Sequence, residues 1–493
     1  MSYRLFFTRW TILSCLILLT STSNMTAQSR RDVWRMGYWQ SGPTFQMNFY
    51  GGVLQIDSIT APNPMSMDIT DASISDLNGN ILFYTNGIYI ANDLHDTMLN
   101  GGNLNPSPAT AMSRDHGMPS FQGAIVLPDP LDSMQYYLFY LSVNLSNNLR
   151  GDTLFMAKVD MRLDGGLGGV TIKNYPLSTL GFMCGQLMAC KHANGRDWWL
   201  VTHGFNNDTY YKFLISPYGI SSPSSQNIGI ISAYPGQACF SPDGSKYASF
   251  ASNYDVELFN FDRCTGDFSN YNHIVIPDSS VTAGCSFSPN SNVLYVSSKI
   301  YLYQMDVTAP DITATLDTVA IWDGFEDPVP TTFFFQQLAP DNKIYITGWG
   351  SVNHLSVINF PDSLGNSCNV SQHSIALPGN NNGSFPNYPF YELGALGGSV
   401  CDSLPTGIYV YNNNEVDIHV FPNPAKNKIY LKYPNKKINE IEIVNALGKT
   451  VSANAIINNS SYIEIEVSDL ASGIYFLTIK TNQSSQTTNF IKE

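Results

Sequence analysis

Six times along the middle of the chain, an apolar run leads into a short Asp/Asn/Gly turn and out into an aromatic or β-branched run. The turns are Asp76-Leu-Asn-Gly-Asn, Pro130-Leu-Asp-Ser, Ala193-Asn-Gly-Arg, Ser241-Pro-Asp-Gly-Ser, Ser288-Pro-Asn-Ser-Asn and Pro340-Asp-Asn-Lys. The runs after them are Ile81-Leu-Phe-Tyr, Tyr136-Tyr-Leu-Phe, Trp198-Trp-Leu-Val, Tyr247-Ala-Ser-Phe, Val293-Leu-Tyr-Val and Ile344-Tyr-Ile. Such turn residues close hairpins, and branched or aromatic side chains pack on a pleated surface. Two more strand-like runs follow each hairpin, as in Val256-Glu-Leu-Phe-Asn-Phe and His273-Ile-Val-Ile. Four antiparallel strands recurring every roughly 50 to 60 residues predict an all-β chain folded as a β-propeller.

The two ends of this region complete the count. Trp34–Trp39, Phe45–Phe49 and Val53–Ile59 read as three strands, and Ser384-Phe-Pro-Asn-Tyr-Pro-Phe-Tyr as a lone one. Joined, they would close a seventh blade and leave no free edge. Seven blades are expected, with six or eight as alternatives. Consecutive aromatics such as Trp198-Trp199 and Phe333-Phe334-Phe335 are expected in the core, because blades are covered on both faces. Residues 395–416 are Gly- and Asn-rich and read as a linker. Beyond them the alternation in Ile463-Glu-Ile-Glu-Val gives one buried and one wet face, as in a small immunoglobulin-like β-sandwich. The expected division is 1–27 signal peptide, 28–394 propeller, 395–416 linker and 417–493 sandwich.

Composition adds the address. Charged residues make up 13% and aromatic residues 13%, a mix suited to strands and turns. Of the net charge of −14, residues 417–493 carry +1, from 8 Lys against 7 acidic residues. Arg4 and Arg9 add +2 near the start, so residues 28–416 hold −17. An acidic body without a Lys/Arg cluster excludes nucleic acid as a partner, since phosphate neutralisation is the main affinity term there. Arg4 and Arg9, the apolar run Thr11–Leu19 and small residues up to Ala27 describe a secretory signal cleaved after Ala27. The run is too short for a membrane span, and no span is expected in the mature chain. Cys15 lies inside that run, too early for a lipoprotein cysteine.

Seven cysteines remain after cleavage: 184, 190, 239, 264, 285, 368 and 401. Export permits disulfides, and an odd count leaves at least one thiol free. Cys368 with Cys401 is the preferred pair, tying the end of the body to the segment that leaves it.

The tail carries Val420-Phe-Pro-Asn-Pro-Ala, Val444-Asn-Ala-Leu-Gly-Lys, Leu470-Ala-Ser-Gly-Ile-Tyr-Phe-Leu and a terminal Phe490-Ile-Lys-Glu. In that order these resemble the type A C-terminal sorting domain of the Bacteroidetes type IX secretion system. Asn445-Ala446 departs slightly from the family, which often has an acidic residue or Tyr there. The resemblance implies passage through the inner membrane by the signal peptide, then through the outer membrane by way of the tail. The expected location is therefore secreted or attached to the outer cell surface, via the periplasm. The expected partner of the tail is the type IX secretion machinery, read through Pro422, Asn423, Pro424, Leu447, Gly448, Lys449, Gly473, Tyr475 and Lys492. Pro422 and Pro424 also set a rigid entry turn, and Gly448 and Gly473 occupy tight turns. The body, through Met36-Gly37-Tyr38, Asp76 to Gly87, Phe261-Asp-Arg-Cys-Thr-Gly and Phe385-Pro-Asn, is similar to WD-repeat-like or amine-dehydrogenase-like propellers, a resemblance that implies no defined activity.

No G-x-S-x-G, H-E-x-x-H, phosphate loop or G-x-G-x-x-G is present. No catalytic, cofactor-binding or metal residue is therefore assigned. The eight histidines are scattered; His116 and His203 are the best placed of them. The Asp/Asn/Gly turns resemble fragments of calcium loops, but their regular place between two strands favours a hairpin role. The leading expectation is an exported propeller that binds an extracellular ligand, glycan or protein. The alternatives are a secreted hydrolase or lyase with its site in the propeller funnel, and a structural or adhesive surface-layer component.

Overall fold

The computed structural model describes residues 29–38, 42–61, 64–145, 150–252, 254–278, 284–402, 419–421, 423–432, 438–445, 449–451, 455–457, 462–481 and 485–493. The expected signal peptide with Cys15, and Pro422, Leu447 and Gly448, lie outside these residues. The chain divides into two compact units, 1–404 and 405–493.

Seven antiparallel sheets follow one another in the first unit, three-stranded in the first two and four- or five-stranded in the rest. Their innermost strands are Val33–Met36, Ala72–Ser75, Ala124–Pro128, Met188–Lys191, Gly236–Phe240, Gly284–Phe287 and Gln336–Leu338. From sheet to sheet these strands lie side by side, as Gly236–Phe240 does against Gly284–Phe287, and that against Gln336–Leu338. The last sheet returns to the first. Tyr345 packs edge-on against Trp34 at 5.9 Å and Phe49 at 5.5 Å, and Tyr38 N donates to Asn380 O at 2.9 Å. The result is a β-propeller of seven blades.

Each of the six predicted turns joins the first two strands of a blade, and each is held the same way. Asp76, Asp129, Asn194, Asp243, Asn290 and Asp341 accept, through a side-chain oxygen, the backbone N–H two residues on, at 2.8–3.2 Å. These carboxylates and amides serve the backbone as Asx turns. Trp198, Trp199 and Phe333–Phe335 are buried, as expected of blades covered on both faces.

Two expectations are corrected. Ser384–Tyr391 adds no strand to the first blade. Pro386 and Pro389 remove two amide donors, and a ladder strand cannot spare them. The segment runs instead along the axis of the ring, as a plug. Asn387 N donates to Asp71 O at 2.9 Å, and its side-chain amide donates to Ala124 O at 3.0 Å and Leu187 O at 2.7 Å. Tyr388 Oη donates to Val33 O, and Tyr391 Oη to Val126 O, both at 2.7 Å. The disulfide is also not the expected one: Cys401 pairs with Cys264, Cα atoms 5.6 Å apart. The chain leaves the plug at blade five, where Arg263 bonds Gly394 O and Leu396 N donates to Ala193 O at 2.8 Å. That exit sets Cys401 beside Cys264, while Cys368 is buried with Tyr295 and Ile358 in the core between blades six and seven.

The second unit is a β-sandwich of two four-stranded antiparallel sheets. Ile463, Ile465 and Val467 face its core with Ile429, Leu431, Leu477 and Phe490. The alternate residues Glu464 and Glu466 face outward and pair with Lys428.

Candidate functional site

The middle of the ring is occupied by the protein itself. The plug bonds to blades one to four, and a ladder of glutamines lines the opposite wall. Gln237 Oε1 accepts from Cys285 N and Gln336 N, both at 3.0 Å, and its amide donates to Gln336 O at 2.6 Å. Gln122 makes the same kind of pair with Ala238, at 2.9 Å in both directions. The space left between plug and ladder is a cavity of about 20 Å³, lined by Gln237, Cys239, Cys285, Gln336, Tyr388 and neighbours. It has room for a water, not a substrate.

At the mouth where the plug enters, two loops face each other, and each supplies one aromatic and one polar group. Residues 113–123 bring His116 and Phe121; residues 347–351, paired with the end of the last strand, bring Trp349 and Asn382. Phe121 packs on Phe335 at 4.7 Å and Phe334 at 5.3 Å, and reaches Trp349 at 6.3 Å. These rings cap the channel, and Trp349 remains 48% exposed. Beside them Asp68 accepts from the Asn382 amide, and Tyr38 Oη lies 3.2 Å from His116 Nδ1. Burial raises the Asp68 carboxyl above the usual carboxylate range, against the Asn382 hydrogen bond and the attraction of His116. Burial, then Asp68, raises the Tyr38 phenol. The cluster offers donors and acceptors next to an exposed indole, an arrangement suited to a hydroxyl-rich ligand. His116 and Tyr38 are thus part of it, whereas Asp68, Trp349 and Asn382 had no spacing signal in the sequence.

His203 has a different place. It is buried against Tyr210, ring centroids 4.5 Å apart. Burial lowers its pKa from 6.5 to about 4. Tyr210 Oη in turn donates to Glu257 Oε2 at 3.2 Å, and burial raises Glu257 from 4.5 to about 7. Both His203 and Glu257 are thus shifted toward their neutral forms in the core between blades four and five.

In the sandwich, the four tail motifs converge at one end of one sheet. Asn423 Oδ1 accepts from Ile491 N at 2.9 Å, and Ala425 N donates to Ile491 O at 2.7 Å. Gly473 opens a strand and pairs with Lys492, rather than occupying the tight turn expected of it; Tyr475 pairs with Phe490 on one side and Asn445 on the other. Tyr475 is buried, stacked on Phe490 at 5.6 Å, its Oη donating to Ala471 O at 2.8 Å. Lys492 is buried too, while Asn423, Lys449 and Gly473 are exposed. Pro424 follows Asn423 through a cis peptide bond.

The family model described as "secretion system C-terminal sorting domain" matches residues 419–493. No curated protein matches the chain. Among solved structures it is similar to a Lactobacillus plantarum protein, at 16% identity and TM-score 0.42, over 72% of this chain and 99% of that one. A Bacteroides thetaiotaomicron quinoprotein alcohol dehydrogenase-like protein matches at 11% and 0.37, over 72% and 77%. A Xanthomonas campestris gluconolactonase matches at 13% and 0.32, over 65% and 93%. The β-propeller thus precedes a tail, residues 419–493, that is a type IX secretion C-terminal sorting domain.

Proposed function

We propose that the propeller is an extracellular binding module and that its ligand, a glycan, is met at the mouth formed by Trp349, Phe121, Tyr38, Asp68, His116 and Asn382. The observation that supports this most is the exposed indole of Trp349, which lies beside Phe121 on the loop that leads into the strand paired with Asn382. Sugars present an apolar face to an aromatic ring and hydroxyls to acids and amides. In this reading residues 1–27 take the chain across the inner membrane and are removed. Residues 28 to about 402 form the body, and the tail delivers it to the cell surface or the medium. Asn423, Pro424, Lys449 and Gly473, with Pro422, Leu447 and Gly448, are the face read by the secretion machinery. Tyr475 and Lys492 hold that face from beneath.

The test is a glycan array probed with the full chain and with Trp349→Ala. Binding to a defined class of oligosaccharide that falls at least tenfold in the variant supports the reading. Binding that survives the substitution, or turnover of any glycan on the array, contradicts it.

A further inference from the structure

The plug bonds to one side of the ring and leaves the wall of blades five to seven facing a cavity. Two thiols line that cavity. Cys239, on the innermost strand of blade five, is partly exposed; Cys285, on the adjacent innermost strand of blade six, is buried. Their sulfurs are 3.6 Å apart, in van der Waals contact, and neither belongs to the Cys264–Cys401 bond. We propose that Cys239 and Cys285 form a second disulfide in the exported protein, cross-linking blades five and six where the plug makes no hydrogen bond to the wall.

Three features support this. The two cysteines sit on neighbouring strands fixed by the Gln237 ladder, so their approach is set by the fold rather than by chance encounter. A disulfide needs the sulfurs at about 2.05 Å, and the missing ~1.5 Å can be supplied by side-chain rotation into the adjoining cavity. The compartment through which an exported chain passes is also oxidising. The exchange balances with a protein or glutathione disulfide as oxidant. Before the ring and its plug close, the Cys239 thiolate attacks it, giving a mixed disulfide and releasing one thiol. Cys285 then attacks the Cys239 sulfur and expels the second thiol. Two S–H bonds are lost, one S–S bond forms, and the oxidant takes up two electrons and two protons. Cys184, Cys190 and Cys368 are buried, each without a neighbouring thiol among the described residues, and stay reduced.

The full chain is recovered from outside the producing cells. It is then unfolded in iodoacetamide, digested and read by mass spectrometry. The expected result is alkylation at Cys184, Cys190 and Cys368 alone, with one peptide pair linked through Cys239 and Cys285 and another through Cys264 and Cys401. Alkylation of both Cys239 and Cys285 in the unaltered protein overturns the proposal, as does a link from either to a different cysteine. Cys239→Ser should leave Cys285 open to alkylation, and Cys368→Ser should leave the linked pair intact. Loss of the link in Cys368→Ser counts against the assignment.

Discussion

The propeller and the tail are both built from short antiparallel strands, yet their repeated residues do opposite things. In the propeller, the recurring Asp and Asn of the hairpin turns are consumed by folding: each caps the backbone amide two residues on. A repeat of that kind reports architecture and says nothing of task. In the tail, residues from four separate stretches gather at one end of a sheet, with Asn423, Lys449 and Gly473 left exposed. The tail's motifs thus converge without all being needed for its core. Repetition that is spent inside the fold and repetition that is left on its surface carry different information.

That contrast can be tested from its strongest point downward. If the plug is what completes the propeller, Asn387→Ala should cost on the order of 3 kcal/mol, because it leaves two buried carbonyls without donors. Urea unfolding followed by tryptophan fluorescence reads this, and a loss under about 1 kcal/mol would demote the plug to a loosely held strand end.

His203 and Glu257 give a pH signature. Glu257 favours its protonated form when folded, so its contribution is full below pH 4.5 and is lost as pH rises to about 7. His203 favours its neutral form, so its contribution is full above pH 6.5 and is lost as pH falls to about 4. The slopes oppose each other between pH 4.5 and 6.5. Glu257→Gln removes one of them. Relative to the unaltered protein, its stability should gain with pH by roughly 1 kcal/mol per unit over that window. A parallel pair of curves would show that Glu257 is not held neutral by the fold.

The smallest effect belongs to a single repeat. Asp76→Ala removes the cap of one exposed turn and should cost about 1 kcal/mol, with ligand binding at the mouth untouched. Loss of binding in this variant would mean that the turns carry task as well as architecture.

Much of this molecule was legible because its signals are local. Each hairpin turn and the strands beside it lie within about fifteen residues, so the blades could be read in order and their count inferred. The plug was misread as a strand because of its aromatic residues, Phe385, Tyr388, Phe390 and Tyr391; Pro386 and Pro389, a poor fit to any ladder, were the contrary signal. Of the mouth, His116 was singled out among the histidines and Tyr38 within Met36-Gly37-Tyr38, but Asp68, Trp349 and Asn382 were not legible, since ring closure brings them in across more than three hundred residues. The Cys264–Cys401 bond depends likewise on where the plug exits. The tail was readable from its motifs, although motif alone could not tell that Tyr475 and Lys492 are buried and Lys449 is exposed.

The separation of body and tail is the claim on which the rest depends, and cell fractionation tests it most directly. Cells of a type IX-competent producer would express either the full chain or a chain ending at Asp402, which keeps the plug and the Cys264–Cys401 bond. The account predicts the full chain at the surface or in the medium, and the shortened chain folded but held in the periplasm. Display of the shortened chain outside the cell at the level of the full one would contradict it.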